Sequence, residues 1–194
     1  ILPWAFPTEL DAERFDNEYF SKDTNRYQRY IGALKMLDIR DENIIICNCY
    51  RESRDELLKI LEDVDVIFLP GGNPEMMFSK VVHDKDLLYV LKYTKKIVIG
   101  ESAGCELQLR RYFITAKNNY YKYFAFYDGF GLIDGNFYID VHTINNKNYL
   151  NKLEKVALEC KKDVYAIYDG GLIVYNRENK SLDTFNPVRK FEVR

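Results

Sequence analysis

The sequence predicts an α/β protein: a mainly parallel sheet covered by helices on both faces, a three-layer αβα arrangement, with a C-terminal β-hairpin. Three observations predict it. Apolar runs of strand length alternate with stretches of helical periodicity through the first half of the chain. Those runs are apolar at successive positions, as strands buried on both faces are. The 194 residues are 47% apolar with only 10 Gly and 5 Pro, which suits one packed domain and excludes a disordered or low-complexity chain.

The elements follow in order. Ile1-Leu2-Pro3 reads as the tail of a strand entering a loop, with further residues expected upstream. Thr8 with Asp11 provides a helix start, after which Tyr27, Tyr30, Ile31, Leu34 and Leu37 recur at the three- and four-residue spacing of one helix face. Residues 44–47 form an apolar strand. Ser53 and Glu56 then make a capping box ahead of Leu57, Leu58 and Leu61. Residues 64–69 are a second strand, stopped by Pro70-Gly71-Gly72. A helix over 86–93, with Leu87, Leu88 and Leu91 on one side, leads to a third strand at 96–100.

The second half is less regular. Residues 137–142 alternate as a strand ending at His142, and 148–159 place Leu150, Leu153, Val156 and Ala157 on one helical side. Residues 164–168 and 172–175, joined by Asp169-Gly170-Gly171, make the expected hairpin. Ala125-Phe126-Tyr127-Asp128-Gly129 echoes Ala166-Ile167-Tyr168-Asp169-Gly170, as two turns built from the same residues would. No linker divides the chain, so a single domain is expected over 1–194.

Charge and composition remove several classes of partner. Lys plus Arg number 28 and Asp plus Glu 30, a formal charge of -2. The basic pairs Lys95-Lys96, Arg110-Arg111 and Lys161-Lys162 are short and interrupted, so no nucleic acid is expected. No apolar run approaches the about 20 residues that span a bilayer, and residues 1–6 carry no basic leader, so no membrane is expected either. Cys47, Cys49, Cys105 and Cys160 read as reduced thiols of a cytoplasmic protein. Two histidines, His83 and His142, leave no His-rich metal site. A phosphate-binding loop is disfavoured, because the Gly-rich segment lacks a following Lys-Ser or Lys-Thr pair. The aromatic residues, 15% of the chain, serve mainly as core, with room for a pocket or a homodimer contact.

The chemistry concentrates at Gly100-Glu101-Ser102-Ala103-Gly104, between an apolar strand and the helix-like 105–109. G-x-S-x-G in that setting is a nucleophile elbow: small flanking residues permit a sharp turn that lifts the serine out at the sheet's carboxyl edge. The same turn aims the Ala103 N–H and the positive helix end at a developing oxyanion. A tight turn whose serine merely caps the helix is the plain alternative. Pro70-Gly71-Gly72-Asn73-Pro74 follows the neighbouring strand and can offer the Gly72 N–H as a second donor, or serve as loop punctuation only. The nucleophile needs a base. His83 sits in a charged helix entrance, whereas His142 ends a strand, where the carboxyl edge lies. The third member stays open among Asp128, Asp134, Asp140 and Asp169, with Asp128 and Asp169 the better placed to orient the imidazole.

These residues resemble the peptidase E family, the S51 serine peptidases, within the class I glutamine amidotransferase-like fold and more distantly similar to cyanophycinases. Phe68-Leu69-Pro70-Gly71-Gly72-Asn73 resembles the family's Gly-Gly-Asn loop, and Ile97-Val98-Ile99-Gly100-Glu101-Ser102-Ala103-Gly104 its nucleophile segment. Gly129-Phe130-Gly131-Leu132-Ile133, followed by the strand ending in His142, resembles the approach to its catalytic histidine. Leu2-Pro3-Trp4-Ala5 resembles the loop after its first strand. The likeness spans residues 1 to about 175. It implies a cytoplasmic, cofactor-free serine hydrolase of small peptides, with Ser102 as nucleophile, His142 as base, and Gly72 and Ala103 as backbone donors. The best-known members remove an N-terminal aspartate from dipeptides.

Two departures stand out. The family's triad aspartate, roughly fifteen residues beyond the serine, falls where this chain reads Thr115-Ala116-Lys117-Asn118-Asn119. Another carboxylate, or Asn118 or Asn119, would have to orient His142, or activity is lost. Glu101, beside the nucleophile, would repel an acidic substrate if it faced the pocket. A non-catalytic binding member of the same fold, and an esterase or amidase of other small substrates, remain alternatives.

Overall fold

A computed structural model describes residues 1–6, 8–116 and 121–193. The chain divides into two compact units, Ile1–Gly104 and Cys105–Arg194.

The first unit opens with a short helical stretch, α1 (Ala12–Arg14), capped by Asp11 and running into a π-turn, Phe15–Tyr19. The helical path then breaks, and α2 (Asn25–Met36) restarts on its own cap, the Thr24 hydroxyl accepting from the Tyr27 N–H. The face expected of Tyr27, Tyr30, Ile31 and Leu34 is formed on α2, with Tyr30 and Ile31 buried, but Leu37 lies past the helix end and is exposed. The start expected at Thr8 and Asp11 serves the separate α1, with Asp11 as its cap. The Ser53–Glu56 capping box is present and starts α3 (Arg54–Asp63), which buries Leu57 and Leu61. The parallel strands β1 (Val66–Leu69) and β2 (Ile97–Gly100) run in register, Leu69 opposite Gly100. Two helices connect them. α4 (Pro74–Val82) occupies what reads as the far side of a loop: Asn73 caps it by accepting from the Glu75 and Met76 N–H groups, and Pro74 takes the first turn, where a missing N–H costs nothing. α5 (Lys85–Tyr93) matches its periodicity, with Asp84 as cap.

The chain start lies between residues 45–47 and β1. The Leu2 N–H donates to the Phe68 carbonyl (2.9 Å), the Cys47 N–H to the Ile1 carbonyl (3.0 Å), and the Ile1 amine to the Ile45 carbonyl (2.7 Å). Residues 44–47 are thus extended beside Ile1 without a full ladder. The aromatic content goes largely inward. Trp4 is buried with its indole N–H on the Cys47 carbonyl at 2.8 Å, and Phe6, Phe15, Phe20 and Tyr30 form a chain of ring contacts that ends on Phe68.

A single helical turn, α6 (Ala103–Glu106), leads into the second unit. There β3 (Arg111–Ile114) pairs antiparallel with β4 (Ala125–Asp128). β5 (Phe137–Asp140) and β6 (Asp163–Ile167) are parallel, connected by α7 (Lys147–Cys160), whose Leu150, Leu153, Val156 and Ala157 pack on Val164 and Ala166. β7 (Leu172–Tyr175) and β8 (Leu182–Phe185) form an antiparallel pair, and β9 (Val188–Phe191) returns antiparallel to β6.

The expected pairing of 164–168 with 172–175 is therefore replaced. β6 has β5 on one edge and β9 on the other, which leaves no edge for β7. The physical reason lies in burial: Val164, Ala166 and Ile167 are buried, while Leu172 and Val174 are 52% and 46% exposed. The inner strand takes two neighbours, and the exposed one makes the hairpin, with β8. Gly171 lets the turn after β6 pack closely on the residue that precedes β9, because a Cβ there would meet the Pro187 carbonyl oxygen at 2.4 Å. The protein is mixed α/β. Pairing is parallel where a helix connects the strands and antiparallel among β3, β4 and β6 to β9, so the sheets are less uniformly parallel than expected. No described helix is long and apolar enough to cross a membrane.

Candidate active site

Register positions the first group of residues. β1 and β2 end level, so the loops after Leu69 and Gly100 leave the same edge of the sheet. The Glu101 N–H donates to the Leu69 carbonyl at 3.0 Å, and the Gly104 N–H closes a turn on the Glu101 carbonyl at 2.9 Å. Inside that turn Ser102 has φ of 51°, the left-handed region that non-glycine residues occupy at a cost of about 1 kcal/mol or more. Gly104 makes the bend possible, since a Cβ on it would lie 1.9 Å from the Leu69 carbonyl oxygen.

The glycine loop packs beside this elbow. A Cβ on Gly71 would stand 3.0 Å from the Ser102 Cβ. Gly72 has φ of 144° and its position for a Cβ is 2.0 Å from the Ala5 carbonyl oxygen, which also accepts from the Asn73 N–H at 3.0 Å. The helix expected over 105–109 stops at Glu106. One turn carries little dipole, so an oxyanion here would rely on individual N–H groups. Burial pushes the Cys105 thiol up to about 12, which removes it as a rival nucleophile at neutral pH.

Glu101 does not stand open beside Ser102. Its carboxylate pairs with Arg29, accepts from the Tyr30 hydroxyl, and accepts from the Gly71 N–H at 3.3 Å. Burial first, and then the bond to Glu101, pushes the Tyr30 hydroxyl up to about 12, so it remains a donor at neutral pH. The sequence gives no sign of these partners, because Arg29 and Tyr30 sit far upstream of Glu101. Their spacing from Arg26 nevertheless puts all three near one side of α2.

In the second unit β5 and β6 are parallel with Asp140 opposite Ala166. His142 and Asp169, just beyond, consequently reach one edge together. His142 Nδ1 lies 2.8 Å from Asp169 Oδ1, with the two side chains 54% and 86% exposed. His142 also has φ of 51°, and the next residue ties the bend down, the Thr143 N–H donating to the Ile167 carbonyl at 3.0 Å.

The other acids are engaged elsewhere. Asp140 is buried and accepts from the Tyr149 hydroxyl (2.8 Å) and the Thr143 hydroxyl (2.7 Å). Burial, then the Asp140 charge, drives the Tyr149 hydroxyl upward. Asp134 pairs with Lys180 at 3.2 Å. Asp128 ends β4 opposite Arg111, in a cleft with Arg110 and Lys162. Asn118 and Asn119 lie outside the described residues. His83 is the C-cap residue of α4, its backbone N–H donating to the Val81 carbonyl.

Comparison with known proteins agrees with the motifs. The model of peptidase family S51 matches residues 21–182. A candidate peptidase E protein from Listeria monocytogenes EGD-e is similar in structure, with a TM-score of 0.56 and 20% identity over 100% of this chain and 84% of that one. A peptidase from an acI-B1 actinobacterium gives a TM-score of 0.55 and 12% identity over 99% of this chain and 79% of that one. At these identities the likeness is one of fold. No curated protein sequence matches.

Proposed function

Because the chain belongs to peptidase family S51, we propose that it is a serine-type hydrolase of small peptides that works through an acyl-enzyme on Ser102. The observation that carries this is the Ser102 backbone, held at φ of 51° by a glycine that fits against the end of β1. A capping serine has no use for a left-handed backbone; an elbow does.

The steps are those of acyl transfer to water. His142 takes the proton from the Ser102 hydroxyl as its oxygen attacks the peptide carbonyl. The Ala103 and Gly72 N–H groups receive the oxyanion, His142 returns the proton to the departing amine, and water repeats the sequence on the ester. Asp169 would be the orienting acid. Its contact with Nδ1 makes Nε2 the nitrogen that handles the proton, and it supplies the group that the sequence lacks after Ser102. The finer features belong to the same proposal: dipeptide-sized substrates, a cytoplasmic setting, and a three-layer αβα arrangement of glutamine amidotransferase-like type. A preference for N-terminal aspartate is not part of it.

Incubation with a fluorophosphonate probe, followed by peptide mass spectrometry, tests the nucleophile. One adduct on the peptide carrying Ser102 is expected; no adduct, or an adduct on another residue, overturns the assignment. Asp169→Asn tests the acid. A buried triad acid is worth about 10^4 in kcat, but water shares the role at an acid this exposed, so a loss of about ten- to a hundredfold is expected. The melting temperature should hardly move, because an exposed pair adds little to stability. Unchanged turnover in Asp169→Asn would remove Asp169 from the mechanism.

A further inference from the structure

The glycine pair that lends the loop after β1 its shape also makes it unreliable as a donor. Neither Gly71 nor Gly72 restricts its backbone as other residues do, so the peptide group between them has alternatives to the orientation an oxyanion needs. A backbone donor contributes to catalysis only when it is already aimed before charge develops. Something must hold this peptide.

The peptide in question consists of the Gly71 carbonyl and the Gly72 N–H, which share one plane and point in opposite directions. Whatever holds the carbonyl therefore aims the N–H. Arg26 Nη1 donates to the Gly71 oxygen at 3.2 Å. The guanidinium is itself placed by the ring of Tyr19, with Cζ 4.4 Å from its centroid. On the other side of Gly71, its N–H donates to Glu101 Oε2 at 3.3 Å. That carboxylate is held by Arg29 and by the Tyr30 hydroxyl, both on α2. Each polar group of Gly71 thus has a partner borne by, or tied to, the same helix, while Glu101 is also the residue before Ser102.

We propose that Arg26 and Glu101 are positioning residues, which hold Gly71 from both sides, Arg26 through the Gly71–Gly72 peptide and Glu101 through the preceding Pro70–Gly71 peptide, and so keep the Gly72 N–H aimed as an oxyanion donor beside Ser102. This rests on the assignment of Ser102 as nucleophile. It also gives Glu101 a role opposite to substrate repulsion: its charge is spent on Arg29, Tyr30 and the loop.

Arg26→Ala, Glu101→Ala and the double variant provide the test, with Arg26→Lys and Glu101→Gln as conservative partners. Misplacing a catalytic donor by about 1 Å costs up to about a hundredfold. Each alanine variant is accordingly expected to lose about ten- to a hundredfold in kcat with KM changed less than about threefold. The conservative variants, which retain a donor or an acceptor, should recover part of that loss. The double variant should lose little more than the worse single, because both remove one clamp. Amide exchange at Gly71, followed by NMR, should quicken in Glu101→Ala while the melting temperature stays near that of the wild type.

A rise in KM at constant kcat would show that these side chains meet substrate instead. Additive losses, or unchanged Gly71 exchange, would equally overturn the clamp. Failure of the underlying nucleophile assignment looks different: the wild type itself would then take no fluorophosphonate on Ser102, and the catalytic role of the clamp would fall with it, whatever the exchange rates.

Discussion

Ser102→Ala should abolish peptide hydrolysis, lowering kcat/KM by about 10^4 or more, and should abolish fluorophosphonate labelling. The substitution removes one oxygen from a side chain that the Gly71 loop touches, so folding should survive it. The alanine side chain would have to keep a φ of 51°, at much the same strain as serine. Ser102→Gly is the informative companion. It removes the same hydroxyl but also relieves the left-handed strain, and should be more stable than Ser102→Ala by up to about 1 kcal/mol. An inactive pair in which glycine is the more stable fits an elbow strained to present a hydroxyl. Wild-type turnover in Ser102→Ala would end the serine-hydrolase proposal. Glycine no more stable than alanine would mean that the bend carries no strain, and the serine no special exposure.

What could be read from the sequence was what depends on near neighbours. The Ser53–Glu56 capping box is complete within four residues, and it stands as expected. β1 and β2 are apolar runs cut off by Pro70 and by the elbow, and both were legible as strands; their expected burial on both faces is not found, since Val66, Ile97 and Ile99 are exposed. The helix α4 was not, because Pro70 through Pro74 looks like uninterrupted loop; only the pairing of a capping Asn73 with Pro74 announces a helix start. The hairpin over 164–175 failed for a different reason. Asp169-Gly170-Gly171 is a sound local turn signal, but the partner that takes the edge of β6 is β9, well beyond the turn, and local signals are silent about competition between edges. The contact of Asp169 with His142 depends on a parallel register, Asp140 opposite Ala166, which four candidate acids in sequence cannot reveal. The attachment of Gly71 to α2 was further out of reach, since Arg26 and Glu101 are separated by the whole succession of α3, β1, α4, α5 and β2.

Gly104→Ala should damage the fold as well as the site. Glycine at this position is required by space: a Cβ would lie 1.9 Å from the Leu69 carbonyl oxygen and 2.6 Å from its carbon. Those atoms are backbone of a strand paired in register with β2, and the same oxygen accepts the Glu101 N–H, so the obstacle cannot swing aside as a side-chain tip would. Either the elbow opens or the end of β1 moves, and each loses the bond to Glu101 together with core contacts of Leu69. A cost of more than about 3 kcal/mol is expected, roughly 6–12 °C in melting temperature for a chain of this size. Gly32→Ala is the control. Gly32 lies inside α2 with nothing within 4 Å of a Cβ, so alanine there should stabilise by about 0.5–1 kcal/mol through helix propensity alone. Urea denaturation of the two variants reads both signs. A Gly104→Ala protein as stable as wild type would show that the elbow does not rest on β1. The left-handed serine would then lose its support, and with it the reason to expect a hydroxyl presented for attack.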